Sequence, residues 1–496
     1  MEFGELIKDI YVGKFSEEEL ATKIKSIKIR SEEVEKGDLF ILLKNDEFAK
    51  EKVRMALENC AEVVLCENDF GLKNCHVIEK PRRAFALMEK RLHHDAVDKM
   101  KVIGVTGTNG KTTISHIIYD ILKNAGKKVG LIGTLGIKTS GEYEDTGFTT
   151  PDPDVLHEAF EKMLQEGCEY VVMEASAHAL ILDKLEGINF EVGILTNITQ
   201  DHLDFFGNMQ NYYLAKLKLF ENSRCKIAFV CSDCVNSKKI AKDAGANIFT
   251  YGVTTPSNTF ASNVNLTSDG SSFICQSGDK IFDVQVPLVG NFNVQNTLAA
   301  ISACLSLGVS VEHIQSALKF MPPVEGRFNV IKKGDVNVVV DFAHTPDGLE
   351  KIISSARSFT SGRIITVFGC GGDRDRLKRP IMGEIATRLS DFVVFSSDNP
   401  RFEKPDEIIE EIKKGAIRQN YIAEPDRSKA ILLALKQAKA GDTVIIAGKG
   451  GEKYQDICGQ KIPYDDYSVV LSFDNLTHLE EENITCQSPL KPSLSS

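Results

Sequence analysis

The segment Gly107-Thr-Asn-Gly-Lys-Thr-Thr113 carries the most specific chemistry in this 496-residue sequence. Glycines at 107 and 110 let backbone N–H groups converge on phosphate oxygens, and a helix starting behind them adds about half a positive charge there. In such a loop Lys111 reaches the β- and γ-phosphates and the Thr112 hydroxyl binds Mg2+, while Thr108, Asn109 and Thr113 complete the cradle. The strict pattern asks for glycine at 105, where this chain has Val105. The flanks nevertheless read as strand (VIGVTG), loop and helix (TTISHIIYDILKNAG), so a nucleotide site is expected.

More ligating groups follow: Glu174 in VVMEASAHAL, and Asp201, His202 and Asp204 in TNITQDHLDFFG. They fall at the ends of predicted strands, the edge of a parallel sheet where α/β proteins bind ligands. They are candidate Mg2+ ligands, and spacing alone leaves both phosphoryl transfer and simple hydrolysis open. Lys216 and Lys218, in NYYLAKLKLF, read by themselves as solvated helix lysines. The single C-x-x-C, Cys231 to Cys234, reads as a strand running into a loop, with zinc or redox work as the alternative. His93 and His94, in the polar stretch KRLHHDAVDKM, read as exposed residues of a linker.

The elements that must position these groups alternate. VIGVTG, VGLIGTL, EYVVMEA and VGILTNI are buried-strand patterns separated by amphipathic helices, which predicts a mainly parallel sheet covered on both faces. Residues 226–290 show shorter strands with Ser/Asn/Gly turns and are expected to be an antiparallel extension. A second alternation (NVVVDFA, RIITVFGCGG, DFVVFSSD, DTVIIAGKGG) predicts a Rossmann-like unit. The fold class is therefore α/β in three domains. These are a small α/β domain over 1–98, a central parallel-sheet nucleotide-binding domain over 99–326 and a C-terminal domain over 327–485, followed by a disordered tail over 486–496.

Composition narrows the partners. The net charge is −11 without a Lys/Arg stripe, which argues against a nucleic-acid backbone. No apolar run approaches the roughly 20 residues of a membrane span, and the charged start MEFGELIKDI is not expected to be a signal peptide. Twelve irregularly spaced cysteines suit reduced thiols in a cytoplasm.

In order along the chain, TGTNGKTT, MEASAHAL, TNITQDHLD, GNFNVQNTLAA, VDFAHTPDGLE, FGCGGDRDRLKRP, SDNPR and AGKGGEKYQ resemble the motifs of the Mur ligases. The resemblance spans about residues 100–470, and within the family it is to the diaminopimelate-adding type. It implies an N-terminal domain for a UDP-sugar, a central ATPase and a C-terminal domain bringing an amino acid, in a monomer. It further implies an ATP- and Mg2+-dependent ligase that adds meso-diaminopimelate to UDP-N-acetylmuramoyl-L-alanyl-D-glutamate through an acyl-phosphate, in peptidoglycan synthesis. Thr112 and Glu174 would hold one Mg2+, His202 and a carbamylated Lys216 the other, and Asn296, Arg327 and Asp341 would hold ATP. Ser31, Thr149, Thr150, Ser176 and Lys184 would touch the UDP-sugar-peptide. Arg374, the run Asp398-Asn399-Pro400-Arg401, Gly448 and Glu452 would touch the amino acid, the arginines meeting its second carboxylate.

The chain departs from the family pattern mainly where the acceptor binds. Arg30-Ser31-Glu32 stands where Asp-Ser-Arg is usual, and the Asp-Gly-His after GDLF is missing. Ala177, Leu182 and Lys184 replace serine, glutamine and arginine; Gly451 and Phe342 replace histidine and tyrosine. A relative that uses another carboxylate acceptor, and a non-catalytic binding protein, are the alternative readings.

Overall fold

Apolar runs bounded by glycines and polar turns condense into three main sheets. The structure, a computed structural model, describes residues 1–10, 15–221, 224–234, 239–240 and 242–473. The tail expected over 486–496 lies outside these residues. The first sheet is parallel, with β1 (Ser26–Lys28), β2 (Asp38–Ile41), β3 (Val63–Cys66) and β4 (Cys75–Val77) in sequence order.

The central sheet has ten strands: β5 (Lys101–Thr106), β6 (Val129–Gly133), β7 (Gly136–Lys138), β8 (Tyr170–Glu174), β9 (Phe190–Leu195), β10 (Cys225–Cys231), β11 (Asn247–Gly252), β12 (Thr259–Thr267), β13 (Gly270–Ser277) and β14 (Lys280–Val286). Their order is β14-β13-β12-β11-β10-β9-β5-β8-β6-β7, which puts β5 in the middle, parallel to β8 and β9. The expected antiparallel extension starts later than the sequence suggests. Strands β10 and β11 still run parallel to β9, β12 joins β11 in parallel, and the antiparallel pairs of this half are β12 with β13 and β13 with β14. The burial explains the boundary: β10 ends in the buried run Ala228–Cys231, whereas β14 alternates buried Phe282, Val284 and Val286 with exposed residues.

Helix α1 (Lys111–Asn124) leaves β5 through the glycine loop and buries Ile114, Ile117, Ile118, Ile121 and Leu122. Helix α2 (Met209–Leu217) is buried around Tyr212, Ala215 and Leu217, and α3 (Asn291–Ser306) is apolar on most sides and packs on α1.

The C-terminal sheet comprises β15 (Asn329–Lys333), β16 (Val336–Asp341), β17 (Ile364–Phe368), β18 (Phe392–Phe395), β19 (Tyr421–Ala423) and β20 (Thr443–Ala447). All but β15 run parallel, and the last strand, β20, lies between β16 and β17. Helix α4 (Pro346–Arg357) starts on Pro346, with the Thr345 hydroxyl accepting from Gly348 N, and α5 (Lys378–Leu389) follows the GGDRDR loop. A hairpin of β21 (Tyr454–Ile457) and β22 (Gln460–Pro463) stands apart. Behind the sheet, Arg427 and Asp466 form a fully buried pair with two 2.8 Å contacts.

The stretch read as a polar linker is a contact. The helix Pro81–Leu92 runs into it, and Ala96 and Val97 of a following 3-10 turn are buried. His93 is half-buried, its Nδ1 2.6 Å from Glu161 on a helix of the central unit, while His94 is exposed. No helix among the described residues is long and apolar enough to cross a membrane.

Candidate active site

The glycine loop lies at the C-terminal end of β5, where α1 begins. A Cβ on Gly107 (φ +143°) would stand 1.8 Å from Thr196 Oγ1, and one on Gly110 (φ +91°) 2.6 Å from Asn296 Oδ1. Only glycine lets the backbone come this close to its neighbours. The Lys111 ammonium folds back to donate to Gly107 O (3.1 Å) and Thr108 O (3.0 Å). Burial lowers its pKa, opposed by the nearby Glu174 and Asp201 carboxylates. Asn109 Nδ2 donates to Asp347 Oδ2 (2.8 Å) at the start of α4, tying this loop to the C-terminal sheet's helices.

Thr112, Glu174 and His202 line one cavity of about 640 Å³ with the loop. Thr112 Oγ1 accepts from Arg327 Nη2 (2.8 Å), and Glu174 accepts from Thr134 N (2.9 Å) and Oγ1 (3.1 Å). A hydroxyl and a carboxylate are the hard oxygen donors that suit Mg2+, so this pair fits that ion. Among the described residues no three His, Cys, Asp or Glu side chains form a metal cage, so Mg2+ here would depend on phosphate oxygens and water as well. His202 sits at φ +53° beside Asp201, and burial pushes its pKa down to about 3, leaving a neutral imidazole able to ligate. Burial alone would raise the Asp201 pKa, but His344, His202, Lys378 and Lys111 around it hold it at about 2.

Lys216 is the clearest reversal of a reading made on composition alone. It is 1% exposed on the inner side of α2, its ammonium 4.2 Å from the Tyr212 ring centre, with no hydrogen bond or ion pair among the described residues. Burial and Lys111 drive its pKa well below the ordinary lysine value. Lys218, two residues on, instead pairs with Asp183 at 3.0 Å.

The hinge, residues 326–328 between the central unit and β15, and the C-terminal sheet close the other side of the cavity. The Arg327 guanidinium lies over the Phe342 ring (4.5 Å). Asp341 accepts from Phe328 N (2.6 Å) and Ala343 N (2.7 Å), and burial raises its pKa to about 6. Asn296, Arg374, Asp398, Asn399, Arg401, Gly448 and Glu452 also line the cavity. Arg401 (φ +50°) donates from Nη1 to Gly372 O (2.8 Å), and Asn399 Nδ2 donates to Glu452 Oε2 (2.9 Å). Arg374 is exposed, and among the described residues its guanidinium bonds its neighbour's carbonyl, Asp373 O, at 3.1 Å.

The acceptor residues divide. Thr149 lines the cavity, and Thr150 Oγ1 links Glu174 O (2.7 Å) to Ser176 Oγ (3.1 Å) just behind it. Lys184 pairs with Asp152 (2.8 Å), and Ser31 lies buried in the first unit, its carbonyl accepting from Asn59. These last two, with Lys216 and Pro400, are not part of the cavity wall. Cys231 and Cys234 are free thiols rather than a disulfide.

Three residues in the quoted motifs were not singled out by sequence. His344 Nε2 (3.8 Å) and Lys378 Nζ (3.9 Å) both approach Asp201, and Lys449 is wholly buried between Asn399 and Glu452. Their motifs, HTPD, DRLKRP and AGKGG, were the available signal; which member faces the site depends on tertiary packing.

Known proteins resemble this chain along most of its length. Residues 105–304 match the Mur ligase middle domain and residues 326–450 the Mur ligase glutamate ligase domain. A UDP-N-acetylmuramoyl-L-alanyl-D-glutamate–2,6-diaminopimelate ligase of Clostridium acetobutylicum is 41% identical over 446 residues, covering 88% of this chain and 92% of the relative. The ligase of the same description from Geobacillus thermodenitrificans is 39% identical over 463 residues, covering 90% and 94%. A solved structure of such a diaminopimelate ligase superposes with a TM-score of 0.70 at 32% identity, over 96% of this chain and 99% of that one. A Thermotoga maritima MurF ligase in complex with ADP shares the fold, with a TM-score of 0.62 at 20% identity over 93% and 99%.

Proposed function

The chain belongs to the Mur ligase family of ATP-dependent amide ligases, and on that premise we propose that it adds meso-diaminopimelate to UDP-N-acetylmuramoyl-L-alanyl-D-glutamate. The observation that carries the substrate assignment is the cluster of Arg401, Asn399, Arg374 and Glu452 on the wall opposite the glycine loop. A dibasic, dicarboxylic amino acid needs both guanidinium and carboxylate partners, and this wall offers both. In this reading residues 1–98 hold the UDP-sugar, 99–326 the nucleotide and 327–485 the amino acid. The enzyme acts as a cytoplasmic monomer, a setting that suits its eleven described cysteines, all free thiols.

A carboxylate is a poor acylating agent because oxide is a bad leaving group. The acceptor carboxylate therefore attacks the ATP γ-phosphorus; the bond to the β,γ-bridging oxygen breaks, giving ADP and an acyl-phosphate. The amino group of diaminopimelate then attacks the carbonyl carbon, loses a proton, and inorganic phosphate leaves the tetrahedral intermediate. Lys111 leaves its two carbonyls for the transferring phosphoryl group, and Arg327 adds a second cation from the hinge. When bound, Mg2+ would neutralise phosphate charge; Thr112 and Glu174 would hold one ion, and His202 with a carbamylated Lys216 a second. Burial lowers the Lys216 pKa well below the ordinary lysine value, which favours the neutral amine that takes up CO2 with release of one proton.

Coupled measurement of ADP release against a panel of acceptors and amino acids tests the assignment. Release is expected only with UDP-N-acetylmuramoyl-L-alanyl-D-glutamate and meso-diaminopimelate together; equal release with another carboxylate acceptor would replace the acceptor assignment.

A further inference from the structure

The amino-acid wall contains a buried cation that no step above uses. Lys449 has no exposed surface, unusual for a residue that normally carries its ammonium to water. It stands in the turn after β20, between Gly448 (φ +119°) and Gly450 (φ +53°). A Cβ on Gly448 would stand 2.3 Å from Asp398 Oδ2, and one on Gly450 2.6 Å from Gly326 O and 2.9 Å from Phe342 N. The two glycines therefore fold the turn against the Asp398 loop on one side and the hinge on the other, and Lys449 is aimed inward between them.

Its ammonium donates to Asn399 Oδ1 (2.9 Å) and Glu452 Oε2 (2.8 Å), with the Tyr454 ring 5.6 Å away. Asn399 Oδ1 also accepts from Asp456 N (3.0 Å), and Asn399 Nδ2 donates to the same Glu452 Oε2 (2.9 Å). One carboxylate oxygen of Glu452 is thus held by two donors, while no hydrogen bond among the described residues engages Oε1. The amide of Asn399 is likewise fixed: its oxygen is taken by two donors, and its NH2 group keeps one proton for a ligand. Asn399 and Glu452 both line the cavity.

We propose that Lys449 is a positioning residue for amino-acid selection: it locks Asn399 and Glu452 into one arrangement. In that arrangement a carboxylate oxygen and an amide N–H face the ammonium and carboxylate of the same stereocentre of the substrate. This rests on the diaminopimelate reading and adds a role for a residue that touches no substrate. An ammonium can hold both groups at once because it has three donors and no acceptor, so neither partner gains by turning away. Without it, the Glu452 carboxylate keeps only the Asn399 amide as a donor, and Asn399 Oδ1 keeps only Asp456 N, so the arrangement of both groups loosens.

The test compares wild type, Lys449→Met and Lys449→Gln in steady-state ADP release. The readouts are KM for meso-diaminopimelate, KM for ATP, and the preference for the meso over the LL isomer. Methionine keeps the length of the stem and removes all three donors, whereas glutamine keeps a neutral donor. In Lys449→Met, KM for diaminopimelate should rise about ten- to hundredfold and the isomer preference should fall at least fivefold, with KM for ATP within twofold of wild type. Lys449→Gln should fall between the two proteins, and it decides the matter alone if the methionine variant does not fold. An unchanged isomer preference, or KM for ATP rising in step with that for diaminopimelate, overturns the positioning role. Failure of the substrate reading would show separately, as a wild type that does not use diaminopimelate at all.

Discussion

Replacing Arg401 with alanine isolates the contact on which the choice of amino acid depends. The backbone should tolerate the change: Arg401 already occupies φ +50°, and its peptide bonds, N–H to Asp456 O and carbonyl to Cys458 N (both 2.9 Å), do not involve the side chain. The guanidinium spends one Nη1 proton on Gly372 O, and its Nε is 3.6 Å from Asp456, outside hydrogen-bond range. Nη2 and the second Nη1 proton remain for a substrate carboxylate. A charge-assisted contact of this kind contributes about 1.5–3 kcal/mol. The side chain is 22% exposed and shares its surroundings with the Asp456 carboxylate, so the lower half of that range applies, roughly ten- to thirtyfold. Wild type should therefore favour meso-diaminopimelate over lysine in kcat/KM by at least about tenfold. Arg401→Ala should lose most of that preference through the better substrate alone. ADP release at saturating acceptor, with KM for ATP followed in parallel, measures this. A wild type that uses lysine equally well, or a variant that keeps the full preference, refutes the reasoning.

Lys111→Ala should reduce acceptor-dependent ADP release by several orders of magnitude, with an unchanged circular dichroism spectrum; a folded variant with normal turnover would remove the loop from catalysis. Lys216→Ala should be nearly inactive and partly rescued by short carboxylic acids, and normal activity of this variant in CO2-depleted buffer would make Lys216 a packing residue only. Asp466→Asn leaves Arg427 charged at zero exposure and should cost about 3–5 kcal/mol, read as an earlier unfolding transition; an unchanged melting profile would contradict the burial of the pair. Burial, reinforced by Asp154 and Glu158, raises the Glu89 pKa to about 8, so its stabilising contribution is complete below the unfolded value near 4.5 and is lost as pH rises through 8. The melting temperature should fall over that window and Glu89→Gln should flatten the fall by roughly a few degrees; an identical slope in the variant would show that Glu89 does not titrate there.

What the sequence made legible follows from how local each signal is. The glycine loop, the strands on either side of it and the order of the later motifs need only neighbouring residues, and the structure gathers most of them around one cavity. Lys216 and Lys218 look alike in NYYLAKLKLF because solvation is decided by what packs on α2, not by the helix itself. His93 was read as exposed because its partner Glu161 is 68 residues away. The parallel direction of β10 and β11 is not legible in the sequence, because short strands near Ser/Asn/Gly turns resemble hairpins until burial on both faces is known. Lys449 stood in a quoted motif without a role: a lysine between glycines reads as a solvated turn, and only the packing of that turn against the hinge turns it inward.

The place of β20 sets a timetable for the chain as it is made. Strands β16 and β17 are not neighbours; each pairs with β20, which is synthesised about 75 residues after β17 ends, an interval on the order of 4–15 seconds at 5–20 residues per second. Until then β17 has no partner on the side toward β16, and the pair of β17 and β18, whose following loops bear Arg374 and Arg401, is anchored along one edge only. The glycine loop and its sheet, complete by residue 286, can form well before that. A nascent chain thus acquires the parts that hold a nucleotide first and the parts that choose an amino acid last, so a truncation before Thr443 should still bind ATP yet leave its amino-acid wall unbuilt.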